Sequence, residues 1–261
     1  MRYLHPVSHH ERFVASGVYT TTGVGQDTAA TTTASAITTA ATEEWSIHLQ
    51  PGGSRFIRLD CTPGISGGSA SDSQEHLLAE ILQSPEGIVE RVDLVWFRRV
   101  VTRRVSLTIF ENYVQIGYKA SADERQYFEV DIPDGTRLLP PFTLFALGSV
   151  NVPDVSLQGQ WIGMRLDSTD IPPPMMIRSI DWQSGETEVL TFGRKQITTQ
   201  AFTHHADAAV FTVWRDQRMS IPVRVTAQSA DVQSADVQST HNPADGQPRL
   251  IKTGELRSIA Y

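Results

Sequence analysis

From Trp45 to about Val225 the chain alternates apolar and polar residues at period two, in short runs divided by turn residues. Trp45, Ile47 and Leu49 fall on one face of such a run and Ser46, His48 and Gln50 on the other, as in a strand with one buried side. The alternation recurs at Val92-Leu94-Trp96, Val105-Leu107-Ile109, Val114-Ile116-Tyr118, Phe128-Val130-Ile132, Ile162-Met164-Leu166, Val210-Thr212-Trp214 and Ile221-Val223-Val225. A helix would not segregate residues two apart, so the pattern points to an all-β fold.

With 261 residues, 40% of them apolar, the chain can bury a substantial core, and β-barrels or sandwiches of this length often form one domain. The expected architecture is a single β-rich domain over 1–261: a large, mostly antiparallel barrel or half-barrel of roughly ten or more strands with one short helix. The helix is placed at Ser73–Leu82, where Leu77, Leu78, Ile81 and Leu82 recur at helical spacing, Ser71, Asp72 or Ser73 can cap the start and Ser84-Pro85 ends it. Pro51-Gly52-Gly53 joins the clearest hairpin, Trp45–Gln50 with Ser54–Cys61. A meander follows over Glu90–Arg99, Arg103–Phe110, Tyr113–Ala120 and Gln126–Ile132.

Two stretches have little to bury. Residues 20–42 are nearly all Thr, Ala, Gly and Ser and read as a flexible insertion. Residues 228–248 hold a tandem copy of Ser-Ala-Asp-Val-Gln and read as a loop. Beyond that loop, Leu250–Lys252 and Ser258–Tyr261 are expected to close the sheet as a final strand pair.

A formal charge of −7 argues against a general nucleic-acid binder, whose affinity comes largely from neutralising phosphates. Cys61, the single cysteine, excludes an intrachain disulfide and reads as a small buried strand residue. The N-terminus lacks the apolar core of a secretory signal and no run reaches roughly 18 apolar residues, so a soluble, cytoplasmic chain without a transmembrane segment is expected.

No catalytic signature stands above the scaffold. There is no Gly-x-Ser-x-Gly elbow and no Gly-Lys-Ser/Thr phosphate loop, and Gly23-Val24-Gly25 lacks the rest of a dinucleotide fingerprint. His5, His9, His10, His204 and His205 with Asp207 show no metal-ligand spacing and read as solvated; no metal or cofactor is expected.

The aromatic residues are spread over many strands, as they are when they converge on a barrel interior. Trp96, Tyr118, Trp161, Met164, Trp182, Phe192 and Trp214 are the candidate lining of a cavity, with Met175 and Met176 as further deformable wall; ordinary core packing is the competing reading. Arg98, Arg99, Arg103 and Arg104 flank one turn and are the candidate anion site, unless cross-strand carboxylates pair with them. The function expected is noncovalent binding of a hydrophobic or amphipathic, lipid-like small molecule; by architecture alone such a chain looks like lipocalin-type and lipoprotein-carrier-type barrels. The alternatives are a cyclase, isomerase or hydratase using the same cavity, with Asp93, Glu111 or Asp167 as its acid and Glu129 and Asp181 as further carboxylates, or an interaction protein with a filled core.

Overall fold

A computed structural model describes residues 2–24, 38–62, 75–98, 101–120, 124–138, 158–164, 174–192, 195–206, 209–218, 221–229 and 250–260. Its elements are β1 (Arg12–Val24), β2 (Thr38–Leu49), β3 (Arg55–Thr62), β4 (Glu75–Gln83), β5 (Val89–Arg98), β6 (Val101–Ile109), β7 (Tyr113–Ala120), β8 (Gln126–Asp131), β9 (Arg137–Leu138), β10 (Gln158–Met164), β11 (Met175–Phe192), β12 (Lys195–Ala206), β13 (Ala209–Asp216), β14 (Pro222–Ser229) and β15 (Leu250–Ala260). They form one 15-stranded sheet in the order β8-β7-β6-β5-β4-β3-β2-β1-β15-β14-β13-β12-β11-β10-β9. Every ladder is antiparallel except β9–β10, which is parallel.

This order turns a one-dimensional pattern into a rolled sheet. The C-terminal β15 lies between β1 and β14, so the chain ends join the sheet in its middle. The edges are then β8 and β9, neighbours in the chain through the turn at 132–136, yet not laddered to one another. The sheet curls back on itself without closing.

Register explains why the alternation is so regular. Trp45, Leu59, Ala79, Leu94, Val105 and Tyr118 stand opposite one another across successive ladders, as do Ile47, Ile57, Ile81, Val92, Leu107, Ile116 and Phe128. Each row is an inner-face row, and a slip of one residue would turn every member outward. These rows form the main core, joined by Leu138 from β9 and by Ile162 and Met164 from β10. The β9–β10 edge therefore packs into the hollow of the first eight strands.

Local chemistry sets the turns. Gly53, φ +88°, closes the β2–β3 hairpin, where the Gly53 N–H donates to the Gln50 carbonyl at 2.9 Å. Gly87, φ +85°, does the same between β4 and β5, with the Ser84 Oγ accepting from the Ile88 N–H at 3.3 Å. A side chain at either position would be strained.

The structure corrects three expectations. Glu75–Gln83 is strand, and no helix occurs among the described residues. Leu77, Ala79 and Ile81 face the core, while Leu78 and Glu80 are buried on the opposite face. A strand covered on both sides reads as a continuous apolar run and mimics helical spacing.

The ends of the Thr/Ala-rich stretch 20–42 are not insertion but ladder, from Thr20 opposite Thr42 to Val24 opposite Thr38; residues 25–37 lie outside the described residues. With β15 paired to the other side of β1, backbone hydrogen bonds replace the missing apolar area. Finally, Leu250–Ala260 is one continuous strand rather than a pair, and Gln228 and Ser229 of the expected loop at 228–248 belong to β14, the rest of that stretch lying outside the described residues. The meander and the Pro51-Gly52-Gly53 hairpin stand as expected.

Candidate functional site

The inner face of the second half of the sheet differs from the main core. Trp161 on β10, Trp182 on β11, Val213 on β13 and Val225 on β14 are its buried residues, with Phe202 and Phe211 half-buried against them. Register places Trp182 opposite His204, Phe202 opposite Val213 and Val213 opposite Val225, so one face of the sheet supplies the set. β11 reaches both neighbours because it runs 18 residues and shifts register between Ser184 and Thr187. At that shift a Cβ on Gly185 would meet the Ala201 Cβ at 3.3 Å, so the close approach suits glycine.

Aromatic faces line this wall. His204 lies 5.5 Å from Trp182 and stacks on Phe211 at 6.5 Å, and its Nδ1 is 3.0 Å from the Asp181 carbonyl oxygen. The carbonyl can only accept, so Nδ1 carries the hydrogen. The Arg137 guanidinium sits over the Trp161 ring at 5.7 Å and that of Arg215 over Phe202 at 5.8 Å. Trp182 is 2% exposed, and among the described residues its indole N–H has no hydrogen-bond partner.

The sequence candidates separate between the two cores. Trp96 packs against the main core, and Tyr118 and Met164 are buried within it. Trp161 and Trp182 belong to the second cluster. Trp214 alternates with Val213 and faces the other way, its ring under Arg224 at 5.7 Å. Phe192 ends β11. Met175 packs against the main core, and Met176, one residue on, points to the opposite face.

Of the four arginines, Arg103 and Arg104 have described side chains. Arg103 shares the inner face with Trp96, over whose ring it lies at 5.8 Å, and Arg104 points to the opposite face. Arg98 ends β5 and Arg99 lies outside the described residues. Of the carboxylates, Asp93 pairs with Arg91 at 2.9 Å, Glu111 is in an exposed turn, Glu129 and Asp181 are exposed, and Asp167 lies outside the described residues. A buried inner-face acid does exist at Glu43, opposite Tyr19, and sequence reasoning missed it.

A second polar assembly is buried on the outer face of β2–β4. Arg58, 2% exposed, binds Glu11 through Nη1 to Oε2 at 2.7 Å and Nη2 to Oε1 at 3.0 Å, donates from Nε to Glu80 Oε1 at 3.2 Å and from Nη1 to His48 Nδ1 at 3.0 Å. The N-terminal segment completes the lid over it. The Arg2 N–H donates to Asp60 Oδ2 at 2.5 Å, the His5 N–H and Nδ1 donate to Glu80 at 3.0 and 2.8 Å, and Tyr3 meets both the His48 ring and Arg58. His76 Nε2 lies 2.9 Å from Asp60 Oδ1.

Burial alone would push the Glu11 carboxyl up, but the hydrogen bonds from Arg58 and the Ser8 backbone outweigh it and hold the group below its ordinary range. Burial and then the Arg58 charge push the His48 imidazole down, against the pull of Glu11. Burial works against the Arg58 charge, yet Glu11 and Glu80 more than restore it. The outcome is a neutral His48 accepting from a charged Arg58 clamped between two carboxylates.

The fold and this geometry define a class: a rolled antiparallel sheet with an open seam, one filled core and one aromatic inner wall. No family profile matches the sequence, and no curated protein matches it. Among solved structures the chain is similar to a beta-barrel-like protein of a domain of unknown function, DUF1849, from Brucella abortus, at 9% identity and a TM-score of 0.49, over 95% of this chain and 98% of that one. Among the described residues no helix is long and apolar enough to cross a membrane, and no group of three or more His, Cys, Asp or Glu is arranged to hold a metal ion.

Proposed function

We propose that the protein binds a hydrophobic or amphipathic, lipid-like small molecule without covalent chemistry, on the inner wall formed by β10–β14, in the manner of lipocalin-type carriers. The observation that carries this reading is the aromatic cluster itself: Trp161 and Trp182 form a buried floor against which Phe202 and Phe211 are only half-buried, leaving ring surface uncovered on the inner face. Half-covered aromatic rings gathered on one face of a rolled sheet suit an apolar ligand. Trp161, Trp182, Phe202 and Phe211 then supply the apolar contacts, while Trp96, Tyr118 and Met164 hold the main core.

The test is a titration with N-phenylnaphthylamine, an uncharged apolar fluorophore. Saturable enhancement is expected, weakened about tenfold or more by Trp161→Ala or Phe202→Ala, since a lost aromatic contact is worth on the order of 1–3 kcal/mol. Trp214→Phe, on the opposite face, leaves it within about twofold. Absence of saturation, or equal loss from Trp214→Phe and Phe202→Ala in folded protein, rejects this reading.

A further inference from the structure

The inner wall carries an electrostatic asymmetry that an apolar ligand alone does not use. Across the described inner-face positions of β10–β14, neither Asp nor Glu occurs: the ladder brings together Gly159, Trp161, Trp182, Ser184, Gln200, Phe202, His204, Phe211, Val213, Arg215 and Val225. The chain as a whole has a formal charge of −7, so the wall departs from the rest of the molecule.

Two groups on this wall can donate and have no acceptor assigned among the described residues. One is the Trp182 N–H. The other is Arg137 of β9, opposite Trp161 in the parallel ladder; its guanidinium lies 5.7 Å from the Trp161 ring, and among the described residues no carboxylate pairs with it. A guanidinium held on an aromatic face keeps its edge N–H groups for an acceptor. Trp161 and Trp182 belong to one buried cluster, which joins the two donors through a shared aromatic floor. The His204 Nδ1–H is spent on the Asp181 carbonyl, so its ring offers a ligand Nε2 alone.

Indole N–H and guanidinium are donors only. A ligand that satisfies both must bring acceptors and no obligatory donor, and charge favours an anion. We infer that the amphiphile bound by this wall carries an anionic head group, a carboxylate or a phosphate monoester, recognised by Arg137 and Trp182 while its apolar tail lies along Phe202 and Phe211. The inference rests on the proposed binding function and names the ligand class for that same site.

Decanoate, decyl phosphate and decanol share one tail and separate the two proposals when each displaces N-phenylnaphthylamine from the full chain. Wild-type protein is expected to bind one or both anions about tenfold or more tighter than decanol, a preference that shrinks as salt screens it. Arg137→Gln should cut that preference to within about threefold by weakening the anions far more than decanol. The better of the two anions identifies the head group. Decanol binding as tightly as both anions to wild-type protein overturns the anionic head group and leaves apolar binding standing, and that outcome needs no variant to fold. Failure of the fluorophore and all three amphiphiles to bind overturns both.

Discussion

Arg58 shows what a single side chain can hold together in this molecule. It lies on β3 between Ile57 and Leu59, both in the core, and points to the other face, where Glu11, His48 and Glu80 surround it. Arg58→Ala would strand two buried carboxylates, and removing one partner of a buried ion pair costs about 3–5 kcal/mol. Tyr19→Phe, which removes the hydroxyl donating to the Pro222 carbonyl and linking β1 to the start of β14, is expected to cost less, about 1–3 kcal/mol. Urea midpoints of the two variants check this order, and an Arg58→Ala loss smaller than that of Tyr19→Phe would show the ionic cluster to be solvated. Alternation with Ile57 and Leu59 is enough to place Arg58 on the outward face. It could not mark it as buried, because its partner Glu11 lies 47 residues away and the His5–Glu80 contact spans 75.

Among the elements, the N-terminal segment is held chiefly by charge. Its Tyr3 and Val7 are 41% and 38% exposed, whereas its polar contacts reach Asp60, Glu80, His48 and Arg58. Docking should therefore respond to pH. His48 is held below its ordinary 6.5 when docked, so its contribution is complete above that value and is lost as pH falls through the docked value. Glu11 is held below its ordinary 4.5, so its contribution persists to lower pH and is lost next. Both act in the same direction, and the segment loosens in acid.

Amide exchange of residues 2–11, corrected for intrinsic rates, should show protection falling between neutral and mildly acidic pH while β3–β5 stay protected. Protection independent of pH would mean that apolar contact holds the segment. The same segment accounts for the misassigned helix. By covering Glu80 it buries the outer face of β4, and that second burial erased the alternation from which a strand would have been read.

For the whole molecule, strand order matters more than strand identity. Most strands were legible because a half-buried sheet imposes period two. The order that puts β15 between β1 and β14 was not, because pairing across the length of the chain leaves no local mark. Nor was the division of Trp96 and Tyr118 from Trp161 and Trp182, since alternation reports a buried face without saying which core buries it. His204, Phe202 and Arg137 entered the site only through register.

The seam gives a direct check on this architecture. Leu138 is fully buried although β9 is a two-residue edge strand, because it enters the main core beside Ile162. Leu138→Ala should cost about 2–5 kcal/mol in thermal or denaturant unfolding. A change below about 0.5 kcal/mol, typical of surface positions, would mean that β9 does not enter the core.

The most direct test of ligand binding by the inner wall is native mass spectrometry of the protein as purified, with organic extraction of whatever leaves it. A single amphiphile bound one per chain is expected, retained by Trp214→Phe and lost from folded Phe202→Ala. A chain that is bare as purified, and stays bare after incubation with a total lipid extract, would contradict ligand binding and make the inner wall an unfilled piece of core.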